Sequence, residues 1–180
     1  MTSEHEIITG CINGDQRAQK MLYDRYSAKM LGVCLRYMKN LDEAEDVLQD
    51  GFIKVFTNIR QYRFEGSFEG WLRRIMINTA LNAYRSNLKH HFHSDVEEQQ
   101  NYLPDTMTED ALSKLSVEEM MKVIQSLPDG YRMVFNLYEI EGYKHKEIAD
   151  LLNISENTSK TQLLKSKISI RNKLAKLVRK

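Results

Sequence analysis

The residues most able to do chemistry in this chain stand close together near its C-terminal end. Ser155, Asn157, Thr158, Lys160, Thr161, Gln162 and Lys165 supply hydroxyls, amides and ammonium groups within a few helical turns. Those are the groups that hold phosphate oxygens and read base edges. A second set combines Arg74, Asn78, Asn82 and Arg85 at helical spacing with Phe64, Phe68 and Trp71 just before or beside them. Rings that stack on exposed bases, cations for phosphates and amides for base edges suit a single nucleic-acid strand. The aromatic residues equally suit a core. A third set, Asp46, Gln49 and Asp50, is acidic. Carboxylates at i,i+4 repel and weaken the helix that carries them. The set is an ordinary solvated face, a protein-binding face, or, least well supported, a metal or hydrolytic pair. No histidine or third carboxylate is placed to complete a catalytic centre.

The elements that position these sets are helices. Residues 143–174, YKHKEIADLLNISENTSKTQLLKSKISIRNKL, begin as a short helix with Ile148, Leu151 and Leu152 at helical spacing. Asn153-Ile154-Ser155 then breaks the pattern. Asn tolerates a left-handed backbone and Ser155 can cap the following helix. That helix shows an inner face of Leu163, Ser166, Ile170, Leu174 and Leu177 and an outer face of Asn157, Thr158, Lys160, Thr161 and Lys165. Two helices around a three-residue turn form the helix-turn-helix arrangement that enters a major groove. From Lys160 to Lys180 there are eight Lys or Arg and no acidic residue, a run that attracts phosphate by counterion release. Without the turn signature, the same run would read as a solvated helix with a basic tail.

Upstream, residues 4–12 form a short helix ended by Asn13-Gly14, and Asp15 caps a helix running to about Lys39. Its inward positions are Ala18, Leu22, Tyr26, Met30, Cys34 and Met38. Asp42 caps a third helix, 42–59, with Ala44, Leu48, Phe52, Val55 and Ile59 inward. A loop at 60–70 precedes a helix at 71–85, with an inner stripe of Phe68, Leu72, Ile75 and Thr79. A helix at 116–127, a Pro128-Asp129-Gly130 turn and an apolar helix at 131–141 lead into the helix-turn-helix.

Charge divides the chain. Residues 1–88 hold twelve basic and eleven acidic side chains, 89–127 three and eight, and 128–180 eleven and six. The reading is an all-α protein of two small helical domains, 1–93 and 116–180, joined by a flexible acidic linker at 94–115. Two cysteines far from CxxC spacing give neither a disulfide framework nor a metal site and suit a reducing cytosol. The His90, His91, His93 tract lacks further ligands nearby and reads as structural or incidental. With no run of 18 apolar residues and no signal pattern at MTSEHEIITG, the expectation is a soluble cytoplasmic protein without stable membrane association. No metal or cofactor is expected.

The fragments DEAEDVLQDGFIKVF, SFEGWLRRIMINTALNAYR and SLPDGYRMVFNLYEIEGYKHKEIADLLNISENTSK, in this order around an acidic linker, resemble the extracytoplasmic-function (ECF) group of bacterial sigma factors. The resemblance covers nearly the whole chain. It implies a non-enzymatic initiation factor that binds core RNA polymerase, through the clamp helices of its largest subunit and the flap of its second largest. It also implies promoter DNA as a ligand and leaves room for an anti-sigma factor. By it, Asp46, Gln49 and Asp50 dock on the clamp. Phe64, Trp71, Arg74, Asn78, Asn82 and Arg85 capture the non-template strand of the −10 element. Ser155, Asn157, Thr158, Lys160, Thr161, Gln162 and Lys165 read the −35 duplex. The sequence departs at Ser159, where the family usually has an apolar residue, and at Gln162, often Arg there. A rival reading is a helix-turn-helix regulator whose first 90 residues sense a ligand or dimerise. A helical hydrolase is a third, without an assembled nucleophile, base or metal set.

Overall fold

A computed structural model describes residues 2–90 and 116–178, and every regular element among them is a helix. The expected linker and His91 and His93 lie outside the described residues. The chain divides into two compact units, Met1–Ala83 and Tyr84–Lys180.

In the first unit, α1 (Glu4–Ile12) is capped by Ser3, whose hydroxyl accepts from the Glu6 N–H while the Glu6 carboxylate accepts from the Ser3 N–H. Helix α2 (Gln16–Tyr37) is capped by Asp15. Its six expected inward positions, Ala18, Leu22, Tyr26, Met30, Cys34 and Met38, are all buried. Helix α3 (Leu41–Asn58) starts one residue earlier than expected, because Asn40 rather than Asp42 accepts from the Glu43 N–H at 2.8 Å. Ala44, Leu48, Phe52, Val55 and Ile59 are buried, and a single 3₁₀ turn, Ile59–Gln61, closes the element. Helix α4 (Phe68–His90) begins before Trp71 and outruns Arg85. Ser67 Oγ accepts from the Gly70 N–H at 3.0 Å, which shortens the loop and draws Phe68 into the helix.

Both cysteines are buried in this unit. Burial, with Asp15 nearby, pushes the Cys11 thiol up to about 11; burial pushes Cys34 up to about 12.

Gly51 has a packing reason. A Cβ at this position would meet the Sδ of Met76, a fully buried side chain of α4. A side chain at residue 51 would therefore have to displace the end of Met76.

The second unit contains α5 (Val117–Gln125), α6 (Asp129–Phe135), α7 (His145–Leu152) and α8 (Glu156–Val178). The helix expected over 131–141 is split: after Phe135 the backbone widens into a π turn, Asn136–Ile140. Arg132 is buried and pairs with Asp129 at 2.6 Å. It also donates to the carbonyls of Gln125 and Leu127 at 3.0 and 2.8 Å. One guanidinium thus satisfies the carbonyl end of α5 and joins it to α6. Asn153 takes the expected left-handed backbone (φ 56°), and Ser155 caps α8 by accepting from the Thr158 N–H at 3.0 Å.

The inner side of α8 is richer in serine than the sequence suggested. Ser159, Ser166 and Ser169 are buried with Leu163 and Leu174, while Ile170 and Leu177 are half-buried. Ser159 Oγ lies 2.9 Å from Nδ1 of His145, the first residue of α7, and the His145 ring stacks on Tyr138 of the π turn. Ser166 instead donates to the Leu163 carbonyl of its own helix at 2.7 Å.

Two stability measurements follow from these contacts. Replacing a mid-helix Gly by Ala ordinarily gains about 1 kcal/mol. Gly51→Ala is expected to lose about 1–3 kcal/mol net from overpacking against Met76. In urea unfolding, the double variant Gly51→Ala, Met76→Ala should lose less than the sum of the two single losses. Increased stability of Gly51→Ala would show that Met76 moves aside freely. Ser159→Ala removes the partner of His145 and should cost about 1 kcal/mol, more than Ser166→Ala, whose hydroxyl bonds only within α8. Equal losses would remove the cross-helix role from Ser159.

Candidate nucleic-acid and protein interfaces

On α3 the apolar stripe faces α2 and the core, so Asp46, Gln49 and Asp50 are all exposed. Sequence reading missed a neighbour. Ile53 follows Gln49 at i+4 and is 63% exposed, which puts a bare aliphatic side chain beside the acidic set. An uncompensated acidic helix face with an apolar side chain at its edge fits a partner that is basic and partly apolar.

The loop before α4 carries an aromatic cluster. Tyr62 is buried and its hydroxyl donates to the Gly66 carbonyl at 3.0 Å. Its ring lies 5.0 Å from Phe68, 5.1 Å from Phe64 and 5.6 Å from Trp71. Phe68 is core, while Trp71 is half-buried and stacks on Phe68 at 5.6 Å, so it packs against the core with part of its ring left exposed. Phe64 is 45% exposed and its backbone is left-handed, with φ at 58°. A bulky side chain in that conformation costs of order 1–3 kcal/mol and must be held by its surroundings. Along α4, Arg74, Asn78 and Asn82 are exposed at i,i+4 intervals, and Arg85, further along the same helix, is half-buried. The loop offers a strained, partly bare ring and the helix a row of guanidinium and amide groups, residue types able to stack a base and hold its phosphate.

On α8, Asn157, Lys160 and Thr161 are exposed. Thr158 and Lys165 are half-buried, and Ser155 is exposed with its hydroxyl 2.8 Å from that of Thr158. Gln162, expected among the −35 contacts, is half-buried. Its amide lies against Gly130, and Oε1 is buried without a hydrogen-bond partner among the described residues. The front of α8 is completed instead by Leu164, 61% exposed and one turn after Lys160. The basic run is also partly consumed within the fold. Lys167 pairs with Glu139 at 2.7 Å, and Lys173 donates to the Ser126 carbonyl and hydroxyl at 2.8 Å. The expected cationic tail is therefore also a set of internal ties.

Among the described residues no group of three or more His, Cys, Asp or Glu is placed to hold a metal ion. No described helix is long and apolar enough to cross a membrane.

Known proteins bear on these faces. Residues 22–89 match the family model of sigma-70 region 2, and residues 117–170 match that of sigma-70 region 4. The ECF RNA polymerase sigma-E factor of Escherichia coli is 30% identical over 180 residues, covering 93% of this chain and 92% of the relative. The RNA polymerase sigma-H factor of Pseudomonas aeruginosa is 29% identical over 185 residues, covering 98% and 96%. The sigma factor RpoE of Bartonella quintana, solved in complex with the anti-sigma factor NepR, shares the fold at a TM-score of 0.51 and 16% identity, over 87% of this chain and 96% of that one. The order of the two regions and the identity sustained along both chains lead to one conclusion: this chain belongs to the ECF sigma factors, transcription initiation factors whose family is generally not enzymatic.

Proposed function

We propose that the chain acts in the cytoplasm as a promoter-specificity subunit without catalytic activity of its own, and that its three exposed faces divide the work. Residues 1–93 form the polymerase-binding and −10 domain, and residues 116–180 the −35 domain. The observation that carries this reading is that sigma-70 region 2 spans α3 and α4, with the acidic and aromatic–amide faces, while region 4 spans the helix-turn-helix.

Asp46, Gln49 and Asp50 dock on the clamp helices of core RNA polymerase, with Ile53 as an apolar contact beside them. A basic partner relieves the repulsion between the two carboxylates, so binding recovers what the free helix loses. Phe64, Trp71, Arg74, Asn78, Asn82 and Arg85 capture the non-template strand at the −10 element. Stacking is worth about 1–3 kcal/mol per base, comparable to the few kcal/mol needed to unstack one. The factor opens DNA by binding the melted segment better than the duplex. Ser155, Asn157, Thr158, Lys160, Thr161 and Lys165 contact the −35 duplex, and Leu164 can meet a thymine methyl in the major groove. Gln162 is better placed to pack α8 on Gly130 than to read a base. An anti-sigma factor, of the general kind bound to RpoE of Bartonella quintana, is the regulator this reading admits.

The charge of α3 provides the decisive experiment. Asp46→Lys with Asp50→Lys should leave helicity by circular dichroism unchanged, because both side chains are exposed. Co-purification with core polymerase and promoter-dependent transcription should fall at least tenfold. Normal core binding by the folded variant would reduce this face to a solvated surface.

Lys160→Ala tests the other end. On a promoter fragment retrieved by the wild-type holoenzyme, duplex affinity should drop by about 1–3 kcal/mol and the salt slope by about one. Unchanged affinity and slope would turn α8 away from DNA.

A further inference from the structure

Phe64 touches two rings that are unequally anchored. One is Tyr62, tilted by 54° against it at 5.1 Å, buried and tied through its hydroxyl to the Gly66 carbonyl. The other is His5, whose ring is stacked on Phe64 with centroids 4.8 Å apart and planes 30° apart. His5 is exposed and sits in the first turn of α1. The helix that carries it is well anchored. Ile7, Ile8 and Cys11 are buried, the Tyr26 hydroxyl donates to the Glu4 carboxylate at 2.6 Å, and Arg60 Nε donates to the Ile12 carbonyl at 3.4 Å.

A base can stack on Phe64 only where the ring face can be cleared. Tyr62 cannot leave without losing a buried ring and a hydrogen bond. His5 can swing into solvent by a side-chain rotation that disturbs neither α1 nor its cap. From this asymmetry we infer that His5 is a placeholder, occupying the stacking face of Phe64 in the free protein and yielding it to a base when a single strand is captured. The inference rests on the reading of this loop as the strand-capture site, and it adds a competitor to it. The stack also has a purpose in the free protein. It covers part of a ring that is still 45% exposed.

The sign of the effect separates a placeholder from a platform. If His5 extended the stacking surface, removing it would weaken strand binding; if it occupies the surface, removing it strengthens binding. The test uses the full chain and the four fluorescein-labelled 12-nucleotide homopolymers, read by anisotropy at low salt. His5→Ala should bind about two- to tenfold more tightly than wild type, the range of one lost aromatic stack. His5→Trp, a larger ring on the same exposed site, should bind more weakly. Phe64→Ala should weaken binding, and in that background His5→Ala should change nothing. Weaker or unaltered binding by His5→Ala, or tighter binding by His5→Trp, overturns the placeholder while leaving the loop as a capture site. Unaltered binding by Phe64→Ala overturns the capture site itself, and the placeholder with it.

Discussion

Residue 51 of α3 faces the buried Met76 of α4, and a side chain there would have to displace the Met76 thioether. The contact sits in a core where Met76 and Leu72 of α4 and Phe52 and Val55 of α3 are completely or almost completely buried. With those faces committed to the core, the opposite faces must be wet: Asp46, Gln49 and Asp50 on α3, and Arg74, Asn78 and Asn82 on α4. These exposed polar faces are thus by-products of where the core closes. A looser contact would leave apolar side chains competing with polar ones for the same solvent-facing positions.

The second unit meets a different constraint. Its first three helices, α5, α6 and α7, are short, and short helices have a large share of unpaired backbone groups at their ends. The buried guanidinium of Arg132 takes two carbonyls at the end of α5, and Lys173 takes another from Ser126. Serines at 159, 166 and 169 keep the inner side of α8 narrow. Ser159 adds a polar link to α7 through His145, at a position where the sigma-factor resemblance expects an apolar residue. Seating the recognition helix by a directional bond as well as by apolar contact fixes its rotation about its own axis, which is what a groove-reading helix needs.

Much of this was legible in the sequence where apolar periodicity was strong. All six inward positions on α2 and all five assigned to α3 and its closing turn are buried, and the Asn153 turn and Ser155 cap stand where the residue types put them. The rest was hidden for identifiable reasons. On α8 the expected inner positions Leu163, Ser166 and Leu174 are buried, but Ser159 and Ser169 are buried too and carry no hydrophobic signal, and the packing of the Gln162 amide on Gly130 leaves no trace in composition. The π turn at Asn136–Ile140 has no composition of its own. The early start of α4 turns on one Ser67 hydroxyl, and the stack of Phe64 on His5 joins residues far apart in sequence. The acidic face, the aromatic loop and the helix-turn-helix front were legible as sets; Ile53, Leu164 and His5 were not, because single residues at the margin of a face leave no pattern.

The two cysteines carry a consequence for how a cell could address this factor. A thiol whose proton is held up to about 11 or 12 exists as thiolate, at neutral pH, in only about one molecule in ten thousand or fewer. The thiolate is the form that peroxides and disulfides attack, and burial withholds even that small fraction from collision. Oxidants therefore have almost no direct purchase on the two thiols, and among the described residues the exposed thioethers of Met21 and Met120 are the sulfur atoms within their reach.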